Sequence, residues 1–514
     1  MFVLAGLWLW WIVSRRFLLT FDEGIFVDGS RRILAGQVPY RDFFILMGPG
    51  TFWLQALALR VFGMTLAASR AVMLLDLAIL AACVFWLVSR QLSVAYAAFA
   101  AGAMVILETA SQGITIPSHR WDSAAFATLA ITICASKELA QNGARRALCA
   151  SRPRRYAVFG AGCCAAFAAW TTPPVALVGV VILIWLAMED RTNLRAYLAG
   201  CAAVSLGCAG VLAYQGALRP MLEQFLWNSS HYAGANYLPY GSLFGRGYTQ
   251  FFDGATIYEL PIRALVVLGV IVPILLPPLA VLCFPCWRRT PFLRLLFGGG
   301  AALAASTYPR MDLPHLTYAA PLFYALMAIL AAGIRWPRLP HGLRTAVFVA
   351  ATLLVTVFAW NAIAQHSAET AVQTEVGAIR APREDAAFLD NLQREIPRGS
   401  SLFVFPYLPI ASFLTLSQNP TRYSYLQPGM MSHQDEAAAL AELRGNPPAR
   451  VLYFDLGPKE LLEIWPASDP AGLRFHSLEA YLASNYHKVG VIPTAKRRFD
   501  ILEPNEQPLA RGSK

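Results

Sequence analysis

The sequence has little charge for its length. Only 14% of its 514 residues are charged and 56% are hydrophobic, whereas a soluble globular protein carries about 25% charged residues. Apolar segments of about 17–25 residues, long enough to cross a bilayer, recur from the start of the chain to residue 361. These features exclude an ordinary soluble protein and predict a polytopic membrane protein.

The sequence also lacks several familiar chemical motifs. All nine cysteines lie between Cys83 and Cys286, so the polar C-terminal region has no disulfide framework. Cys283 and Cys286 form a lone CxxC, which is either a redox or metal pair or a chance spacing, because no second pair completes it. There is no Gly-rich phosphate loop, HExxH or Gly-x-Ser-x-Gly, and no basic–aromatic stripe. We therefore expect no nucleic-acid partner.

The first apolar segment is not a typical signal peptide. Residues 1–13 have no basic start and are not followed by an Ala-x-Ala cleavage site. We expect a retained helix. Since the segment is short for a membrane span, a true N-terminus upstream of Met1 remains an open alternative.

The long apolar segments predict an all-α membrane domain of about eleven transmembrane helices with additional juxtamembrane helices. The predicted spans are residues 1–20, 71–89, 91–110, 122–138, 156–171, 173–189, 195–214, 261–283, 291–307, 314–333 and 344–361. The apolar stretch 50–66 is interrupted by Gln55 and Arg60, and it predicts a helix lying in the membrane interface.

Charge predicts which loops face the cytoplasm. On one side of the predicted spans the loops collect 15 basic residues against three acidic ones, which are Glu138, Glu189 and Asp190. By the positive-inside rule this side is cytoplasmic. The first outer loop, the loops 111–121, 215–260 and 308–313, and the C-terminal region then lie on the other face. We expect a multi-pass protein of the cytoplasmic (inner) membrane with a periplasmic or extracellular C-terminal domain.

The composition changes after residue 361, which predicts two domains, residues 1–361 and 362–514. Short apolar runs in the second domain alternate between helix and strand periodicity, as in a small α/β domain. The predicted helices are residues 385–396, 436–443 and 478–486, and the predicted strands are residues 401–405, 450–454, 489–492 and 499–502.

Several arginines on the predicted outer face break the positive-inside rule. They are Arg15, Arg16, Arg31, Arg32, Arg41, Arg60 and Arg70. Two explanations stay open. The side chains either extend to lipid phosphates at the interface, or some of them bind a phosphorylated lipid substrate.

The outer loops carry residues suited to glycosyl transfer from a lipid-phosphate sugar. Such a reaction needs a carboxylate to accept the proton of the acceptor nucleophile. Asp22 and Glu23 are the candidate catalytic residues, with Asp22 as the candidate general base. Cationic groups must meet the leaving phosphate, and Arg31, Arg310 and His315 are the candidates. Residues predicted to contact substrate are Tyr40, Arg41, Asp42, Arg120, Asp122, His231, Tyr237 and Asp312.

Structural explanations remain open for several of these residues. Arg120 and Asp122 flank a Trp at a helix start, as an interfacial anchor and cap also would. Arg310 and Asp312 are spaced as a structural ion pair, and His231 is either catalytic or an ordinary loop histidine. The intramembrane Asp76 is either a proton-relay group or the partner of Arg70 or of another helix.

The chain resembles the GT-C glycosyltransferases, in particular the bacterial relatives of dolichyl-phosphate-mannose protein mannosyltransferases and lipid A aminoarabinose transferases. The architectural resemblance covers the whole chain, but its specific motifs are confined to residues 20–63 and 308–315. These motifs are Asp22-Glu23-Gly24, Gly36, Pro39 to Phe44, Gly48-Pro49-Gly50, Phe62-Gly63, Arg310, Asp312 and His315. The tail, with Pro420 to Tyr423 after an apolar segment, also looks like that branch.

The resemblance implies a polyprenyl-phosphate sugar donor, the lipid bilayer as the reaction's setting, and catalysis at the outer face with an envelope acceptor. It matches Asp22 to the catalytic acid and Glu23 to its neighbour. The adjacent Asp-Glu pair departs from the Asp-x-Asp form of many members, so we assign no metal and leave a divalent cation open. The alternative functions are a transporter or flippase, which should show inverted repeats and helices broken near the midplane, and an assembly protein for lipid-linked glycans.

Overall fold

The computed structural model describes residues 1–20, 22–110, 115–141, 152–240, 254, 256–288, 290–333, 341–427, 429–465, 468–469, 471–494 and 497–505. The predicted outer loops 111–121 and 215–260 lie in part outside these residues. Among the predicted cytoplasmic bases, Arg145, Arg146, Arg289, Arg335 and Arg338 also lie outside them.

Helices dominate the first 368 residues. They are α1 Phe2–Val13, α2 Glu23–Leu34, α3 Gly50–Phe62, α4 Leu66–Ser89, α5 Val94–Ala110, α6 His119–Gln141, α7 Arg152–Thr171, α8 Ala176–Glu189, α9 Leu194–Tyr214, α10 Leu218–Asn236, α11 Leu260–Leu282, α12 Phe284–Trp287, α13 Pro291–Ala305, α14 Leu313–Ala319, α15 Pro321–Gly333 and α16 His341–Ala368. Each predicted span overlaps a helix, although α1 ends at Val13 and the span 314–333 is divided between α14 and α15, and the predicted helix at 50–66 is α3.

The helix α4 lies at the centre of the membrane part. Thr65 caps its start, accepting a hydrogen bond from the Ala68 amide at 3.1 Å. Leu77, Leu80, Val84 and Leu87 recur at helical spacing and are fully buried. Through this face α4 packs against α1, α5, α6 and α15.

The number of spans stays a prediction. Among the described residues, four helices are long and apolar enough to cross a membrane, and a fifth span is added if α14 and α15 are taken as one bent pair. The other predicted spans overlap helices that are too short or not apolar enough to be counted among these. The predicted span 314–333 is bent by 65° between Ala319 and Pro321, where proline cannot continue the hydrogen-bond ladder.

The C-terminal region is the small α/β domain that the sequence predicts. Its strands are β1 Thr370–Thr374, β2 Gly377–Ala381, β3 Leu402–Phe405, β4 Arg450–Tyr453, β5 Tyr486–Pro493 and β6 Arg498–Pro504, and its helices are α17 Arg383–Glu395, α18 Ile410–Leu414, α19 His433–Gly445, α20 Pro458–Ile464 and α21 His476–Asn485. All seven predicted elements are present, whereas the β1–β2 hairpin, α18 and α20 were not predicted. The main sheet has the order β3-β4-β6-β5, with β3 and β4 parallel and the other pairs antiparallel.

The first outer loop belongs to the hydrophobic core of the C-terminal domain. Phe26 and Phe43 from this loop lie in one buried cluster with Phe403 and Tyr425 of the tail, and this cluster is separate from that of the membrane helices. The first predicted outer loop is therefore built into the C-terminal domain, and it carries Asp22 to the junction of the two parts.

Candidate active site

Asp22 and Glu23 begin helix α2, where the helix dipole favours negative charge. Their environments differ. Glu23 is fully buried and forms a bidentate ion pair with Arg70, whose Nε and Nη2 each lie 2.8 Å from a Glu23 carboxylate oxygen. Arg70 also donates to the Val13 carbonyl at 2.9 Å. Glu23 therefore fastens α2 to α1 and α4.

Asp22 lies among charged and aromatic groups, namely Arg310, Asp312, Tyr407 and Tyr425, and we call this neighbourhood the Asp22 recess. It has accessible surface, yet the surrounding protein removes enough water to raise the pKa of its carboxyl above the ordinary value. Arg310 opposes this shift and Asp312 adds to it. The first and fourth outer loops therefore meet at Asp22, as the sequence predicts.

The loop before α14 holds its own charges together. Arg310 Nε donates to Asp312 Oδ2 at 2.7 Å, and the His315 amide donates to Asp312 Oδ1 at 3.2 Å, which caps α14. His315 Nδ1 also contacts Asp312. Although burial acts in the opposite direction, His315 and Arg310 lower the pKa of Asp312. Asp312 thus orients two of the predicted phosphate contacts and stays ionised.

The second outer loop brings Arg120 to the same place. Arg120 lies near enough for its charge to act on His315 and on Tyr318, and the Tyr318 hydroxyl contacts Ser118. Trp121 packs edge-on against Tyr318 with ring centroids 4.6 Å apart. Three outer loops therefore converge, with Asp22, Arg120, Arg310, Asp312 and His315 in one electrostatic cluster.

Asp122 points away from this cluster. It is 2% exposed, accepts a hydrogen bond from Thr51 of α3 and hydrogen-bonds the Asp76 carboxyl of α4. Because Arg70 is bound to Glu23, the partner of Asp76 is another helix, which was one of the open alternatives. Asp122 thus joins three helices beneath the recess, and substrate contact by Asp122 stays a prediction.

Tyr40, Arg41 and Asp42 form a tight turn. Tyr40 has a φ of 67°, is 1% exposed and donates through its hydroxyl to the Met47 carbonyl at 2.6 Å. Arg41 and Asp42 form an exposed bidentate pair with two contacts of 2.8 Å, which lowers the pKa of Asp42. Arg31 pairs with Asp28 at 2.6 Å and is 17% exposed. None of these groups has a described contact with Asp22.

Part of the third predicted outer loop is helical, since α10 spans Leu218–Asn236 and contains His231. His231 stacks on Trp227 with centroids 4.4 Å apart, and its Nδ1 contacts Ser230 at 2.8 Å. Tyr237 is 46% exposed, and the next residue, Leu238, pairs its backbone with the fourth loop beside Arg310. Tyr237 therefore borders the cluster, whereas the described contacts of His231 stay within α10.

No protein-family model matches the sequence, and no curated protein is detectably similar to it. Solved structures are similar in fold. ArnT from Cupriavidus metallidurans bound to undecaprenyl phosphate aligns with a TM-score of 0.59 at 14% identity over 98% of this chain and 97% of that chain. The apo state of ArnT gives 0.57 at 13% identity, with the same coverage of both chains. The chain shares the fold of these ArnT structures.

An apo oligosaccharyltransferase from Archaeoglobus fulgidus gives a TM-score of 0.49 at 11% identity, over 88% of this chain and 69% of that chain. The ArnT structures cover this chain almost completely, whereas the oligosaccharyltransferase extends beyond it.

Two tyrosines of the tail also belong to the Asp22 recess, and both were missed in the sequence analysis. The Asp22 charge acts on Tyr407, which follows β3, and on Tyr425. Both side chains are almost fully buried. Nothing in the sequence marks them, because they are almost four hundred positions from Asp22 and belong to no motif.

A cavity of about 770 Å³ opens on the C-terminal domain, away from Asp22. It is lined by Tyr453, Phe454, Asp455, Glu460, Lys488, Thr494, Arg497, Arg498 and Asp500. Its charges are largely paired, for example Lys488 with Asp500 at 2.7 Å. It contains none of the predicted site residues. We favour the Asp22 recess because cations lie near Asp22 there, and no ion pair of Asp22 is found among the described residues.

The described residues contain no group of three or more His, Cys, Asp or Glu side chains placed to hold a metal ion. Cys283 and Cys286 are present as free thiols. The divalent cation therefore stays an open question.

Proposed function

We propose that this GT-C chain is an integral-membrane glycosyltransferase that moves a sugar from a polyprenyl-phosphate donor to an envelope acceptor. The acceptor is a lipid, polysaccharide or protein, and the reaction takes place at the outer face of the cytoplasmic membrane. The observation that carries the proposal is the position of Asp22, an accessible carboxyl in a desolvated recess beside Arg310. The likeness to an ArnT structure holding undecaprenyl phosphate supports the donor class.

In this proposal Asp22 is the general base. It accepts the proton of the acceptor nucleophile as that atom bonds to the anomeric carbon of the donor sugar. A general base works best when its pKa approaches the working pH, and desolvation moves the pKa of Asp22 in that direction. Glu23 acts in this account as a positioning residue, because its ion pair with Arg70 fixes the first turn of α2.

The leaving phosphate gains negative charge as the glycosidic bond breaks, so cations must stabilise it. Arg310 and Arg120 are the cations we assign to this task. Asp312 orients Arg310 through a 2.7 Å contact and also holds His315 Nδ1, so His315 can donate to the phosphate only through Nε2–H of the protonated imidazolium. Arg31, Tyr40, Arg41, Asp42, His231 and Tyr237 remain predicted contacts to donor or acceptor around the rim.

Mass spectrometry of envelope glycans and polyprenyl-phosphate sugars, with and without this protein, tests the proposal. Loss of the protein should remove one sugar from a glycan while the matching polyprenyl-phosphate sugar accumulates. Unchanged glycans together with an unchanged donor pool would contradict it. A donor that accumulates only on the cytoplasmic face would instead favour a flippase.

A further inference from the structure

The C-terminal domain touches α2 one residue after the two acids. At Gly24, an added Cβ atom would lie 1.9 Å from the backbone nitrogen of Ile410 and 2.5 Å from the carbonyl carbon of Pro409. Both atoms belong to the backbone at the start of α18, so they cannot move aside as a flexible side chain could. Only glycine at position 24 allows α18 to rest against the first turn of α2.

A second contact, one helical turn or more further along α2, fastens the same tail segment. Arg32, which is 7% exposed, donates to the Arg422 carbonyl and to Ser424 Oγ at 3.0 Å each. Ser424 in turn donates to the buried Asp28 at 2.7 Å. A buried arginine and a buried aspartate are each costly without a partner, so these bonds commit residues 421–424 to α2.

The connection also runs in the opposite direction. Arg422 Nη2 donates to the Tyr40 carbonyl at 2.8 Å, and the Phe44 amide donates to the Arg422 carbonyl at 3.0 Å. The first outer loop and the tail therefore hold each other at both ends of α2.

Tyr407 lies three residues before Ile410, next to the first of these attachments, and is 3% exposed. Burial raises the pKa of its phenol, the Asp22 charge adds to this shift, and Arg497 and Arg310 oppose it. The charged groups that act on Tyr407 thus include Asp22, the proposed base, and Arg310, the proposed phosphate ligand.

We propose that the C-terminal domain completes the Asp22 site, with Gly24 as the seat for α18 and Tyr407 as a residue that positions and polarises the Asp22 carboxyl. This proposal rests on the proposed function for the meaning of Asp22, but the seating of the domain is independent of it. The tail is then a wall of the reaction site, and it helps to exclude water from the recess.

Hydrogen exchange tests the seat without any substrate. Gly24→Ala should speed amide exchange across residues 402–427, whereas Gly234→Ala should not, because a Cβ at Gly234 would meet nothing within 4 Å. Ser424→Ala, a milder change, should speed exchange in the same segment if Gly24→Ala fails to fold. Unchanged exchange in this segment in either α2-contact variant that folds would overturn the seat.

The pH profile of transfer tests Tyr407. Loss of the hydroxyl in Tyr407→Phe leaves Asp22 in a less polar recess, so the acidic limb of kcat/KM should move to higher pH by about half a unit or more. Tyr453→Phe is the matched control, because the charges acting on Tyr453 are those of Asp455, Glu479, Arg474 and Asp500 rather than Asp22. An unmoved limb in Tyr407→Phe, or an equal shift in the control, would overturn the role of Tyr407.

These two tests separate the possible failures. If the wild-type protein transfers no sugar from a polyprenyl-phosphate donor, the proposed function fails, but the exchange experiment still decides whether Gly24 seats the tail. If transfer occurs and exchange is unaffected, the seat alone fails.

Discussion

The two halves of the first outer loop use charge differently. In α2, Glu23 and Asp28 are fully buried and each is tied to an arginine. In the turn that follows, Arg41 and Asp42 pair with each other, and their side chains are 48% and 31% exposed. The comparison teaches that the buried pairs build the scaffold, the exposed pair contributes little to it, and Asp22 is the acid of α2 left accessible for chemistry.

The strongest way to break this comparison is to remove one member of the buried pair. Glu23→Gln leaves the Arg70 charge buried without its counter-ion, and we expect about 3–5 kcal/mol of destabilisation. Thermal unfolding in detergent measures it. Glu375→Gln is the control, because Glu375 pairs with Arg398 at the surface, and equal losses in the two variants would contradict the scaffold role.

A smaller effect is expected at the phosphate loop. Arg310→Ala should lower kcat/KM for the donor by about ten- to hundredfold, since a hydrogen bond to a charged group contributes about 1.5–3 kcal/mol. Asp312→Ala should cost less, because it removes only the group that orients Arg310 and His315. Small and equal effects on donor use would show that the two residues are a structural ion pair.

The smallest effect belongs to the exposed turn. Arg41→Ala should leave the unfolding temperature unchanged, because solvent screens an ion pair of this exposure. If Arg41 contacts substrate, as the sequence predicts, KM should rise while stability does not. A clear loss of stability would remove the distinction between the two halves of the loop.

The sequence predicts the architecture well, because long apolar runs and the alternating pattern of the tail are local signals. It does not predict α2 itself. Gly24 and Gly29 lie inside this helix as packing positions: a Cβ at Gly29 would lie 2.6 Å from the Phe52 ring. A glycine needed for close approach cannot be distinguished from a turn glycine until the partner's position is known.

The same limit applies to the candidate site. Two adjacent acids at a membrane edge direct attention to Asp22 and Glu23. Which of the two forms a buried ion pair depends on Arg70, which lies 47 positions away from Glu23. Arg32 is one of the arginines that break the positive-inside rule, and its buried hydrogen bonds to the tail show it as an attachment point. Tyr407 carries no sequence signal because only folding of the tail over α2 brings it to Asp22.

The central claim is that Asp22 is the catalytic base, and one measurement tests it most directly. Purified protein in lipid vesicles is given a polyprenyl-phosphate donor with a labelled sugar, and transfer to acceptor is followed. Asp22→Asn should fold and bind polyprenyl phosphate but transfer at least about a hundredfold more slowly, since a general base contributes about 10²–10⁴. Asp390→Asn, on the exposed face of α17, should transfer at the wild-type rate. A wild-type rate in Asp22→Asn would contradict the account.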